Sequence, residues 1–292
     1  MTVSVVCLFY ALRGINIASL RDEFREYSVP GVAVVLLAFA CCVWIQALRL
    51  SALFSPKLGS VNALEAILVG LGFNNVLPAK GGEAVKVAYI SKFLGRHVSD
   101  AASAVLMERF WDANGLFVLS AVILGDILDP SARQWGGVFF VVFWALFIFF
   151  RARHDIFLKI WNLLPLVGRV RFLDELRESL LRRTTSRQIL EAGALTVGSW
   201  AAYFAYSACA FIIAGNFPIT IGDAAVIFLI SAAGQLVPSS PGSLGVFEAS
   251  VVWGSGIFGV DREQALGIAF LLRVIQSLPT VSAVALFMVK RT

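Results

Sequence analysis

Residues 62–83, NALEAILVGLGFNNVLPAKGGE, and residues 221–248, IGDAAVIFLISAAGQLVPSSPGSLGVFE, are two versions of one pattern. In each, an apolar run meets a polar amide, Asn75 or Gln235, then a proline three positions on, Pro78 or Pro238, then glycines and a glutamate. In a chain this apolar, the pattern predicts a membrane helix broken partway across, and broken helices at matching places in two halves point to a transporter. The alternative is a pair of ordinary kinked helices, since Pro and Gly are commoner in membrane helices than in soluble ones.

The apolar character is a matter of composition. Hydrophobic residues fill 59% of 292 positions, charged residues 15%, and mean hydropathy is +0.82. Soluble domains run at about 45–50% apolar and about 25% charged. The pattern therefore predicts an all-α integral membrane protein. Windows of about 19 residues give six spans, at Thr2–Ile17, Pro30–Leu50, Asp100–Leu124, Trp135–Phe150, Ile189–Ala214 and Gln264–Val289. Between them, 61–94 and 221–258 hold apolar runs too short or too glycine-rich to cross, and each reads as a re-entrant helical hairpin.

Positive charge gives the orientation. The loop 151–188 carries nine basic residues against four acidic ones, which places it in the cytoplasm together with the Lys290-Arg291 tail and the stretch holding Lys80, Lys86, Lys92 and Arg96. The loops near Arg21–Glu26, Asp126–Arg133 and Asn216–Asp223 fall outside, both termini fall inside, and the two hairpins enter from opposite faces as an inverted pair. Such pairs place a binding site near the midplane where the repeats meet. Within the loop, Phe172, Leu173, Leu176, Leu180 and Leu181 recur at helical spacing among arginines, predicting an amphipathic helix over 171–190 that anchors on an anionic leaflet. The first span lacks a basic start and a small-residue cleavage site, so it reads as a span and not as a signal peptide.

Charges inside apolar spans mark candidate sites, because each costs about 2.5–3.5 kcal/mol at the bilayer centre on insertion scales. Glu108, Arg109 and Asp112 share one helix face, with Arg109 able to pair with Asp112. Arg273, near the middle of the last span, is the expected fourth member of a neutral quartet, which either binds a ligand or ties two helices together. Glu83 and Glu248 follow the breaks, Lys80 and Lys86 lie beside the first, and Gly81, Gly82, Gly242 and Gly245 either let helix N-termini approach a phosphate or serve close helix packing. The candidate substrate-binding set is thus Asn75, Lys80, Glu83, Lys86, Glu108, Arg109, Asp112, Gln235, Glu248 and Arg273.

NNVLPAKGGEAVKVAYI, LMERFWDANGL and VPSSPGSLGVFEAS, followed by an arginine in the last helix, together resemble the lysylphosphatidylglycerol synthase transmembrane-region family of flippase-like proteins over nearly the whole chain. The family pattern falls on Pro78, Lys80, Gly82 and Glu83, on Glu108, Arg109 and Asp112, and on Pro241, Gly242, Gly245 and Glu248, with Ser243 standing where a second glycine is common. This resemblance implies movement between leaflets of a lipid with a charged or sugar-bearing headgroup. It implies a bacterial cytoplasmic membrane, and stand-alone members include a branch associated with hopanoid metabolism. The chain ends at Thr292, which leaves no room for the aminoacyl transferase that makes lysyl-phosphatidylglycerol.

Enzyme signatures are thin. His97 and His154 sit in loops, the four cysteines lie in apolar spans without zinc spacing, and no phosphate-loop, zincin or nucleophile-elbow spacing occurs. No cofactor, metal or nucleic acid is expected, and without an ATP site transport would be passive or driven by an ion gradient. Two alternatives stay open: an enzyme that uses the acid and base cluster on a lipid or polyprenyl phosphate, and a scaffold that holds a lipid-modifying enzyme at the membrane.

Overall fold

A computed structural model describes residues 2–124, 130–152, 171–182, 185–237 and 240–291, and among them every regular element is helical. In chain order the helices are α1 (Thr2–Leu12), α2 (Ile17–Glu26), α3 (Val29–Ala52), α4 (Ser60–Asn74), α5 (Gly82–Leu94), α6 (Val98–Ile123), α7 (Pro130–Ala152), α8 (Arg171–Arg182), α9 (Ser186–Cys209), α10 (Ile221–Gly234), α11 (Val246–Gly256) and α12 (Arg262–Arg291). Pro238, His154 and most of the basic loop lie outside the described residues.

Local sequence sets the boundaries. Ser28 caps α3 by accepting from the Gly31 amide at 3.1 Å, with Pro30 in the first turn, where its missing N–H costs nothing. Thr220 and Asp223 form a reciprocal capping box at the start of α10. Gly95 ends α5 in the left-handed conformation at φ +64°.

Among the described residues, three helical stretches are long and apolar enough to cross a bilayer: Val29–Ala52, Ser186–Ala214 and Arg262–Phe287. The second includes a π turn, Ala210–Ala214, that extends α9. Large apolar side chains on the exterior, among them Leu37, Phe139, Val141, Trp253 and Leu286, would be a liability in water and suit a lipid exterior. The core, with Leu50, Ile67, Phe211, Ile227, Leu266 and Ile268, lies where α3 packs on α9 and α4, and α12 packs on α4 and α11.

Three expectations need correction. Thr2–Ile17 is not one continuous span, because α1 and α2 bend by 80° at a short break. Gly14, at φ +78°, turns the chain, and Asn16 then caps a new helix by accepting from the Ala18 amide at 2.9 Å. The stretch Arg21–Glu26 is consequently helix and not loop. The amphipathic helix expected over 171–190, described over Arg171–Arg182, does not run on to 190, because Thr185 starts α9 as its N-cap. That helix, α8, docks on α6, with Ser179 donating to Asp100 at 2.6 Å and sharing a 2.7 Å hydrogen bond with Ser103.

The two broken segments are antiparallel helical hairpins, α4 with α5 and α10 with α11. In the first, Tyr89 donates to Glu65 at 2.9 Å and Gly82 abuts Gly70 and Asn74; in the second, Gly234 lies against Ser250 and Gly254 against Ile227 and Ile230. Each passes through a short 3-10 turn, Pro78–Lys80 or Pro241–Ser243, and these two turns touch. A lone α4, at 15 residues, is about 22 Å long, short of a hydrocarbon core of about 30 Å.

Candidate functional site

Helix α6 delivers Glu108, Arg109 and Asp112 to one face, as their spacing requires. Facing them, α5 brings Glu83 and Lys86, and α3 brings Arg49. The six side chains close a ring in which charge alternates at every step. Glu83 meets Lys86 at 3.0 Å, Lys86 meets Glu108 at 2.8 Å, and Glu108 meets Arg49 at 3.9 Å. Arg49 then meets Asp112 at 2.6 Å, Asp112 meets Arg109 at 3.2 Å, and Arg109 returns to Glu83 at 3.5 Å. Three acids and three bases leave the ring neutral, which removes most of the cost of holding such charges among apolar helices.

Exposure divides the ring. Lys86, Glu108 and Arg49 are buried, whereas the Arg109 side chain is 44% exposed and Glu83 and Asp112 are partly open. Lys80, exposed and at φ +56°, lies within electrostatic reach of Arg109, Glu83 and Asp112 and adds a cation at the open rim. Glycine makes the buried half possible. A Cβ at Gly82 would strike the Gly70 carbonyl and come within 2.6 Å of the Asn74 amide nitrogen and Oδ1, and one at Gly70 would press on the Lys86 stem at 3.2 Å.

Arg273 does not join this cluster, so the expected quartet does not form. It hydrogen-bonds Glu248 through Nε, donates from Nη1 to the Gly242 carbonyl at 2.8 Å, and lies over the Phe247 ring. Glu248 is fully buried and also accepts from the Gly245 amide at 2.7 Å. The partner that Glu108 needs comes instead from Lys86 and Arg49. Asn75 sits at the tip of the first hairpin, accepting from Ser277 at 3.1 Å and donating to Thr280 at 3.3 Å. Gln235 donates back to the Ser231 carbonyl at 3.5 Å and, among the described residues, makes no bond to the ring.

Arg49 is the ring member that sequence reasoning missed. It stands one residue from the end of an apolar run, where an arginine reads as an interfacial anchor. Helix length is the signal that places it correctly, because α3 continues to Ala52 and carries Arg49 inside the bundle, 1% exposed and bonded also to Thr196 at 3.3 Å. Among the described residues no group of three or more His, Cys, Asp or Glu side chains is placed to hold a metal ion.

Apolar helices of spanning length, two hairpins that meet at their tips and a charge ring beside them define an α-helical membrane protein with a polar site inside its bundle. Residues 1–283 match the family model described as the lysylphosphatidylglycerol synthase TM region, and the chain belongs to that family. Membership ties it to lipid handling in the membrane. No curated protein matches the chain.

Proposed function

We propose that this protein moves a lipid with an anionic or glycosylated headgroup between the leaflets of the bacterial cytoplasmic membrane. One observation carries the reading: the charge ring is closed and buried on one side but open on the other, where the half-exposed Arg109 pairs with Glu83 and Asp112 and the exposed Lys80 lies within electrostatic reach of all three. A guanidinium binds a phosphate through paired, charge-assisted hydrogen bonds, and an adjacent ammonium adds a second cation. Arg109 can turn to such a ligand while Arg49 and Lys86 keep the acids paired behind it.

The membrane arrangement that goes with this function has six crossings, the bent pair α1 and α2 making the first, α6 and α7 the third and fourth, and the hairpins α4/α5 and α10/α11 re-entering from opposite faces. Both termini lie on the cytoplasmic side with the basic loop. The touching turns at Pro78–Lys80 and Pro241–Ser243 support inverted hairpins that meet within the membrane. A scaffold for a lipid-modifying enzyme is the competing reading, favoured by a ring that is complete without any ligand.

Leaflet movement of fluorescent anionic phospholipids, glycolipids and polyprenyl-linked lipids in proteoliposomes separates these. Headgroup-selective movement that is lost in a folded Arg109→Gln variant is expected. Absence of movement across the panel sinks the transport reading, and chemical turnover of a labelled lipid would replace it with the enzyme.

A further inference from the structure

Three helix ends meet around a cavity of about 320 Å³: the last turn of α1, the last turn of α11 and the first turn of α12. Tyr10, Val252, Trp253, Gly256, Ile257 and Arg262 line it, and none of them belongs to the charge ring. Ligand pockets run from about 300 to 1,000 Å³, so this one takes a headgroup and not a whole lipid. Arg262 opens the stretch Arg262–Phe287, which is long and apolar enough to cross a bilayer. The cavity therefore sits where a span meets the headgroups, the level at which Trp and Tyr collect.

The cation in this cavity lacks a counterion. Among the described residues Arg262 makes no ion pair: one Nη donates to the Tyr10 carbonyl, the guanidinium lies 4.8 Å over the Tyr10 ring, and Nε is buried without an acceptor. The bond to Tyr10 caps the end of α1 and uses one of five N–H donors. Its sequence neighbours are engaged elsewhere. Glu263 accepts from the Asn16 amide at 3.3 Å, and Asp261 and Glu263 both lie within electrostatic reach of Glu23 on α2. No acid lines the cavity. Arg109 and Arg273 are each paired with carboxylates, whereas Arg262 keeps its charge uncompensated.

We propose that this cavity binds the headgroup phosphate of an anionic phospholipid, whose acyl chains run over Trp253 and Ile257 on the outer face of α11. The site is separate from the ring and does not depend on the transport reading. Phosphate supplies the several acceptor oxygens that a guanidinium pairs with best. Trp253 and Ile257, each more than half exposed, lead from the cavity to the apolar exterior, which a soluble anion would not use. A choline or ethanolamine group finds no carboxylate here. The Tyr10 face that might otherwise hold its ammonium is already covered by Arg262. The cavity therefore selects phosphatidylglycerol over phosphatidylcholine.

Quenching of Trp253 fluorescence by brominated lipids tests this in the full chain, reconstituted into phosphatidylcholine bilayers with a minor share of phosphatidylglycerol. Bromine is placed on the chains of one lipid or the other, and the signal of a Trp253→Phe protein is subtracted to leave what Trp253 alone reports. A preference for phosphatidylglycerol of about tenfold or more is expected, the factor that hydrogen bonds between charged groups supply. It should fall to near unity in Arg262→Gln and in Gly256→Leu. A Cβ at Gly256 meets nothing within 4 Å, so leucine there fills the cavity without striking the protein and leaves Arg262 in place. Either variant decides the matter if the other does not fold. No preference in the wild type, or one that persists in a folded variant, overturns the site; persistence in Gly256→Leu reveals only the general attraction of a chain of net charge +5 for anionic lipid. A preference abolished by inorganic phosphate gives the cavity to a soluble anion and overturns the lipid.

Discussion

Replacing Arg49 by methionine keeps most of the side-chain volume and deletes one charge from the buried half of the ring. Two bridges disappear, at 2.6 Å to Asp112 and 3.9 Å to Glu108. At an effective dielectric of about 20, those separations correspond to roughly 6 and 4 kcal/mol of attraction before desolvation is subtracted. Most of that sum offsets the cost of burying the charges, and breaking a buried pair from one side generally costs about 3–5 kcal/mol. With a conversion of about 2–4 °C per kcal/mol, borrowed from soluble proteins, the melting midpoint should fall by about 6–20 °C. Thermal unfolding of purified protein in one fixed detergent, followed by loss of the monodisperse peak, reads this directly. Adding Glu108→Gln to Arg49→Met should recover part of the loss, because one charge of each sign is then gone, with a coupling of about 1–3 kcal/mol between the two sites. Arg25→Gln, which breaks a pair on the exposed face of α2, is the control and should leave the midpoint unmoved. An Arg49→Met protein that melts with the wild type, or a double variant that loses the full sum of both single losses, would falsify the account of the ring as one coupled unit.

Two further outcomes follow from the hairpins and their caps. Gly82→Val should destabilise the first hairpin by about 1–3 kcal/mol or prevent its closure, because any side chain there collides with the Gly70 carbonyl; the same melting assay measures it, with Gly256→Ala, at a position with open space, as the comparison. Thr220→Ala removes the hydroxyl that accepts from the Asp223 amide at 3.2 Å and should cost about 1 kcal/mol, visible as a small fall in midpoint with no change in headgroup selectivity.

Apolar composition and the position of the two breaks were readable because they are properties of the chain taken in order. The face shared by Glu108, Arg109 and Asp112 was readable for the same reason, since helical spacing alone fixes it. What lies across from that face is a property of packing, and no spacing rule says whether α12 or α3 supplies it. Arg273 was a reasonable partner by charge, yet the turn at Gly242 and Ser243 leaves carbonyls without helical partners, and the arginine donates to both while pairing with Glu248. The break between α1 and α2 was not legible because Ala11 to Ile17 averages as apolar, and a window blurs the local effect of Gly14 and Asn16.

All six ring charges fall between Arg49 and Asp112, ahead of α7 to α12 in the chain. Two of the three cations, on α3 and α5, precede the two acids of α6 in the chain, so the counterions of Glu108 and Asp112 are synthesised before them. Helix α6 carries the largest charge load of the ring helices and is the one that most needs such company, because an acid buried without a partner is costly. The order of residues along the gene product is thus also an order of assembly: the ring can close before α9 to α12 are made, and the later helices pack around a polar centre that is already neutral.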